Sequence, residues 1–81
     1  MDDKGIFAQI NALVAEEHDL RSKRAAGAID PEEELSRLRH VGASLDQCWD
    51  LLRRRDALRA VGNNPDDARP APISQVEGYV Q

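Results

Sequence analysis

Residues 27–38, GAIDPEEELSRL, contain the strongest local signals in the chain. Asp30 has a side chain suited to an N-cap, Pro31 is favoured at the first helical position, and Glu33 follows the cap by three residues, as in a capping box. Gly27 is suited to the end of a preceding helix. The stretch therefore predicts a tight turn between two helices, the second of which begins at Pro31.

The segment before this turn carries apolar residues at helical spacing. They are Ile6, Ile10, Leu13 and Leu20, and they predict a helix over about residues 3–26. The second helix is predicted over residues 31–61, because no proline interrupts it before Gly62. Its apolar seam consists of Leu35, Leu38, Val41, Leu45, Cys48 and Leu52. From Leu38 onward the spacing alternates between three and four residues, as in a coiled coil.

The two seams are compatible with one another across the turn. A connection of only a few residues makes consecutive helices antiparallel neighbours. With a turn centred near Ala28, Leu20 faces Leu35 and Ile6 faces Trp49. The sequence thus predicts an all-α fold, an antiparallel, coiled-coil-like two-helix hairpin over residues 1–62. A short extended C-terminal tail over residues 63–81 follows, with one helical turn begun by Asn64.

The second helix is predicted to extend past the start of the first, which leaves apolar side chains without a partner in the hairpin. The apolar residues of the tail are unusual for a free terminus. The candidate interface residues are Trp49, Leu51, Leu52, Leu58, Val61, Ile73, Val76 and Tyr79. The tail could fold back on its own chain, cross to a second copy or bind another protein. We expect a homodimer in which two hairpins form a four-helix bundle.

Composition excludes several classes of protein. The chain has 81 residues and a net charge of −4, and nucleic-acid binding normally requires a basic surface. The N-terminus has no signal-peptide pattern, and no apolar run reaches membrane-spanning length. The lone Cys48 rules out a disulfide within the chain. These features predict a cytoplasmic protein that binds neither nucleic acid nor membranes.

The residues that could carry chemistry favour structural roles. His18 lacks a second ligand at the spacing of a helical zinc site, and a pair between Glu17 and Arg21 explains its polar surroundings. Cys48 lies on the seam and is expected in the core. The basic run Arg53–Arg55 is expected as a solvated helix end that complements the helix dipole. We therefore predict no catalytic, cofactor-binding or metal-binding residues, no small-molecule substrate and no enzymatic activity.

An acidic cluster, Glu32–Glu34, lies near the turn between the helices. Acids are favoured in the first turn of a helix for electrostatic reasons alone. Acidic hairpin tips also occur in regulators that enter a channel of RNA polymerase. The main functional hypothesis is a small, self-associating protein–protein interaction module. The alternative is a regulator that inserts its hairpin into a larger machine such as RNA polymerase.

Three stretches, MDDKGIFAQINALVAEEHDLR, LDQCWDLLRRRDALRAVGNNPDDA and VEGYVQ, cover much of the chain. They resemble a small actinobacterial family of uncharacterised proteins, known as a domain of unknown function. The resemblance implies a short, cytoplasmic, helical protein. It brings no catalytic residue, cofactor or partner.

Overall fold

The computed structural model describes residues 1–72 of the chain. The elements in order are α1 (Asp3–Ala25), α2 (Pro31–Ala60) and one turn of 3₁₀ helix (Pro65–Asp67), with no strand among the described residues. α1 and α2 pack against each other along their lengths. The predicted all-α two-helix hairpin is confirmed.

Both helices begin at side-chain caps, of which Asp30 was predicted from the sequence. The carboxylate of Asp2 accepts a hydrogen bond of 2.8 Å from the backbone N–H of Gly5. The carboxylate of Asp30 accepts a hydrogen bond of 2.9 Å from the backbone N–H of Glu32. These bonds satisfy N–H groups that have no partner within the helix. Asn64 caps the 3₁₀ turn in the same way: its side-chain oxygen accepts a hydrogen bond of 3.0 Å from the backbone N–H of Asp66.

Both helices end at a glycine in the left-handed region. Gly27 has φ 71° and Gly62 has φ 77°. The N–H of Ala28 donates to the carbonyl of Lys23 at 2.8 Å, and that of Gly27 donates to Arg24 at 3.1 Å. This is the Schellman arrangement, which reverses the chain direction at low cost where glycine supplies the positive φ. The reversal after Gly27 places α2 beside α1.

The central core lies between the N-terminal half of α1 and the C-terminal half of α2. Its buried members are Ile6, Ile10, Cys48, Leu51 and Leu52, with Leu13, Leu45 and Ala68 packed against them. Towards the turn, Leu20 and Val41 are also buried. The molecule measures 51 × 25 × 13 Å. The shortest dimension is close to the diameter of a single helix, about 10–12 Å, so the hairpin is one layer of helices thick.

The position of Leu51 corrects the predicted overhang. Leu51 is a buried member of the central core, whereas it was predicted to have no partner in the hairpin. This core includes Ile6 and Ile10 of α1, and the segment after Gly62 returns along α2 and packs Ala68 against it. Leu58 is partly buried and Val61 is exposed.

The predictions for Leu35 and Trp49 are also wrong. Leu35, which was assigned to the apolar seam, is half exposed. Trp49 was predicted to face Ile6, but its ring meets that of Phe7, with 6.1 Å between ring centroids. The pairing across the hairpin is shifted by one residue here, which turns Trp49 towards the edge of the hairpin and leaves Ile6 fully buried among aliphatic side chains.

Candidate protein–protein interface

One broad side of the hairpin exposes large apolar side chains. Phe7 and Trp49 meet edge to face, with an angle of 77° between their rings, and they are 47% and 43% exposed. Val14 and Leu35 are each 50% exposed. Phe7 and Val14 are one heptad apart on α1, so they lie on nearly the same line of the helix surface. We call the surface formed by Phe7, Val14, Leu35, Gly42 and Trp49 the Trp49 face.

Gly42 lies at the middle of this face. It is one heptad from Leu35 and one from Trp49, so the three positions form a single row on α2. A Cβ placed on Gly42 would meet no atom within 4 Å. Packing inside the hairpin therefore does not explain the glycine, which costs about 0.5–1 kcal/mol relative to alanine in a helix. A glycine in an exposed row lets another helix approach closely.

The opposite flank of α2 is covered by the chain itself. The side-chain amide of Gln47 donates a hydrogen bond of 2.7 Å to the carbonyl of Ala71. Ala71 is buried. Gln47 precedes Trp49 by two residues, which is about 200° around the helix. The described part of the C-terminal segment therefore leaves the Trp49 face uncovered.

A buried arginine joins three parts of the chain at the open end of the hairpin. Arg55 is 4% exposed. Its Nε donates to Asp3 at 2.5 Å, and its Nη1 donates to Asp66 at 2.9 Å. The carboxylate of Asp3 also forms an ion pair with the guanidinium of Arg59, with 2.8 Å between Oδ2 and Nη2. This role of Arg55 was not predicted, because the whole basic run was expected to be solvated. The sequence signals for it were the aspartate at the start of α1 and the acids of the 3₁₀ turn.

This cluster shifts the ionisation of its members in a consistent direction. Hydrogen bonds from Arg59 and Arg55 lower the pKa of Asp3 below its usual 3.8. The same contact with Asp3, together with Asp66, raises the pKa of Arg55, and the contact with Asp3 raises the pKa of Arg59. Opposite charges within hydrogen-bonding distance favour the charged form of each group. The cluster, which we call the Arg55 clasp, therefore favours the charged forms of Asp3, Arg55 and Arg59.

The rest of the basic run matches the prediction. Arg53 and Arg54 are exposed, and Arg54 binds Asp50 at 2.7 Å. Pairs of this kind along one helix are typical of solvated surfaces and contribute little stability.

The acidic cluster near the turn is engaged in local ion pairs. Glu33 binds Arg37 at 2.7 Å, and Glu34 lies 3.8 Å from Arg24. These contacts give two of the three acids a role within the hairpin, so the cluster adds no separate support for an inserting tip.

The residues considered for chemistry lie apart from one another. His18 and His40 are both exposed, and the predicted pair between Glu17 and Arg21 forms at 3.0 Å. Within residues 1–72 no group of three or more His, Cys, Asp or Glu side chains is placed to hold a metal ion. Cys48 is buried as a free thiol, and burial raises its pKa. A raised pKa lowers the thiolate fraction, as expected for a structural cysteine.

The predicted interface residues divide into three groups. Trp49 and Val61 are exposed, whereas Leu51 and Leu52 are buried in the protein's own core and Leu58 is partly buried. Ile73, Val76 and Tyr79 lie outside the described residues. Phe7, Val14, Leu35 and Gly42 were not predicted as interface residues. The heptad spacing of Leu35, Gly42 and Trp49 was the sequence signal that could have indicated them.

The fold and this surface define a class: small all-α hairpin proteins with one apolar face exposed. The chain belongs to the family described as "Protein of unknown function (DUF2630)", whose model matches residues 2–81. No helix within residues 1–72 is long and apolar enough to cross a membrane.

The chain is similar to two mycobacterial proteins that cover nearly all of it. They are "Uncharacterized protein Rv0898c" of Mycobacterium tuberculosis (strain H37Rv) and "Uncharacterized protein Mb0922c" of Mycobacterium bovis. Each is 49% identical over 77 residues, which is 95% of this chain and 88% of the relative. The resemblance to an actinobacterial family is thus confirmed. No solved structure gives a significant match.

Proposed function

We propose that this protein is a small protein–protein interaction module that self-associates through the Trp49 face. The observation that carries the proposal is the edge-to-face pair of Phe7 and Trp49, whose rings are each more than two-fifths exposed on one side of the hairpin. Aromatic side chains of this kind are enriched at the centres of protein interfaces.

The size of the hairpin supports the same proposal. A single layer of two helices can bury only one side of each helix, and small domains bury a smaller fraction of their surface than large ones. An apolar row on the uncovered side is the usual mark of an interaction surface. Pairing two hairpins through this side would form a four-helix bundle with a second core.

Sedimentation velocity with one matched pair of variants tests the proposal. Wild type at tens of micromolar, a concentration suited to an interface of moderate strength, should sediment as a dimer of the 9.0 kDa chain. Val14→Lys puts a charge on the Trp49 face without touching the core, so it should weaken the dimer at least about tenfold, the scale of losing one buried valine. Ala12→Lys adds the same charge at an exposed position on another side of α1 and should leave the dimer intact.

Two results would contradict the proposal. One is a wild-type monomer at these concentrations. The other is a dimer that tolerates Val14→Lys as well as it tolerates Ala12→Lys.

We also propose a cytoplasmic location. The single buried thiol of Cys48 supports it, because small secreted domains usually depend on disulfides for stability. Fractionation of the native cells with an antibody against the protein tests it. Recovery in the cytosolic fraction is the expected result, and recovery in the culture medium would contradict it.

A further inference from the structure

We infer that two copies pair through α2, antiparallel to each other, with the two-fold axis passing beside Gly42. This inference rests on the proposed function and adds to it which helix makes the central contact and in which direction. It comes from a charge pattern that runs beside the apolar row of the Trp49 face.

Four charged residues follow α2 at intervals of seven. They are Glu32, Arg39, Asp46 and Arg53, and their signs alternate. Each lies three or four residues from a member of the apolar row, so the charges form a second row next to Leu35, Gly42 and Trp49. Arg39 and Arg53 are exposed, as is Glu32, and Asp46 is partly buried.

An antiparallel pair centred on Gly42 makes the two charge rows complementary. Residues at nearly equal distances from the centre, on opposite sides of it, then lie opposite each other. Arg39 and Asp46 are three and four residues from Gly42, and Glu32 and Arg53 are ten and eleven residues from it. Arg39 meets the partner's Asp46, and Glu32 meets the partner's Arg53. The two-fold axis repeats each contact, which gives four opposite-charge contacts in all. In a parallel pair related by a two-fold axis along the helices, the two charge rows instead lie on opposite sides of the contact and do not meet.

The apolar row fits the same arrangement. Leu35 lies opposite the partner's Trp49, and Gly42 lies opposite the partner's Gly42. The absence of a side chain at the centre lets the two helices approach closely, and the open space around Gly42 is where the second helix crosses. Close contact at glycine and opposite charges on both sides are mutually consistent features of one interface.

The charges are available for such contacts. Within residues 1–72, Glu32, Arg39 and Asp46 take part in no ion pair. Arg53 has one long contact, 3.9 Å to Asp50, and its side chain is 71% exposed. Other charged side chains of α2, including Asp50, Arg54 and Arg55, are already paired inside the hairpin.

Charge reversal tests both the partner and the direction. Arg39→Glu and Asp46→Arg should each weaken the homodimer about tenfold or more, because two like-charged contacts replace two opposite-charged ones. An equimolar mixture of the two variants should form a heterodimer, since every contact between them is again of opposite sign. The double variant Arg39→Glu/Asp46→Arg should recover the wild-type dimer. Sedimentation of the single variants, the mixture and the double variant measures all three effects, and circular dichroism verifies that each chain is folded.

The outcomes separate this inference from the proposed function. A monomeric wild type contradicts both. A wild-type dimer whose single variants associate normally, or whose variants fail to rescue each other on mixing, contradicts the antiparallel α2 pairing and leaves self-association standing. If a variant at Asp46 fails to fold, the exposed outer pair, Glu32→Arg and Arg53→Glu, supplies the same test with the same expected rescue.

Discussion

The guanidinium of Arg55 donates a hydrogen bond of 2.5 Å to the carboxylate of Asp3, a residue 52 positions earlier in the chain. The bond joins the end of α2 to the first residue of α1. A second bond, to Asp66, ties the segment after Gly62 to the same point. The open end of the hairpin is therefore closed by side-chain contacts centred on Arg55, with Arg59 also bound to Asp3, whereas the turn at the other end is closed by the backbone.

We predict that Arg55→Ala lowers the melting temperature by several degrees. The substitution leaves Asp66 without its arginine and opens the site where three segments meet. Arg53→Ala is the matched control, because Arg53 is exposed and makes only a long ion pair; its melting temperature should stay within about a degree or two of wild type. Thermal unfolding followed by circular dichroism measures both. Equal effects of the two substitutions would contradict the role assigned to Arg55.

The Arg55 clasp should also make stability depend on pH through Asp3. In the folded protein the pKa of the Asp3 carboxyl lies below 3.8. The contribution of Asp3 to the free energy of unfolding is therefore fully present above that pH, and it is lost as the pH falls through the lowered pKa. The stability difference between wild type and Asp3→Asn should thus be largest near about pH 6 and shrink towards about pH 2. Urea unfolding of both chains across this range measures it. A difference that grows as pH falls would contradict the assignment.

Cys48 is predicted to behave as a core residue. Its thiol should react with a labelling reagent many times more slowly in the native protein than in denaturant, because burial hides it and raises its pKa. Arg53→Cys in a Cys48→Ala background provides an exposed thiol on the same helix as a control. Cys48→Ala should cost about 1 kcal/mol of stability and leave self-association unchanged. Native labelling as fast as that of the control would show that the thiol is accessible.

Gly42→Ala should have opposite effects on the monomer and on the dimer. In a chain kept monomeric by Val14→Lys, alanine should stabilise α2 by about 0.5–1 kcal/mol, since a Cβ there meets no atom. In the wild-type background it should weaken association, because the two α2 helices can no longer approach as closely. Gly27→Ala is the contrasting control: at φ 71° it should destabilise the hairpin by roughly 1–2 kcal/mol. Unchanged association of the Gly42→Ala protein would place the interface elsewhere.

The hairpin could be predicted from the sequence because its determinants are local. Asp30, Pro31 and Gly27 act within a turn of where they lie, and the structure has α2 at Pro31–Ala60 with Asp30 as its cap. Apolar spacing likewise placed Cys48 and Ile10 in the core. Such features need no knowledge of distant parts of the chain.

The errors arose where distant segments meet. Leu51 was assigned to an exposed overhang because nothing local indicates that the segment carrying Ala68 returns to cover it. Arg53 and Arg55 belong to the same basic run, and nothing in the neighbouring sequence tells them apart. Only the tertiary contacts of Arg55 with Asp3 and Asp66 show that it has a different role. The pairing of the two helices differs by one residue from the predicted pairing, so that Phe7, and not Ile6, lies beside Trp49. As a consequence, Leu51→Glu would disrupt the protein's own core, and Val14 is the better position at which to test self-association.

The most direct test of the Trp49 face uses its tryptophan, which is the only one in the chain. Quenching of its fluorescence by acrylamide should be efficient in the dilute protein, where the side chain is 43% exposed. Between about 1 and 100 micromolar, a range that spans moderate affinities, the quenching constant should fall with the same midpoint as the increase in sedimenting mass, because the second copy covers the ring. A mass that doubles while the quenching constant stays constant, or a constant that never changes, would contradict pairing through this face.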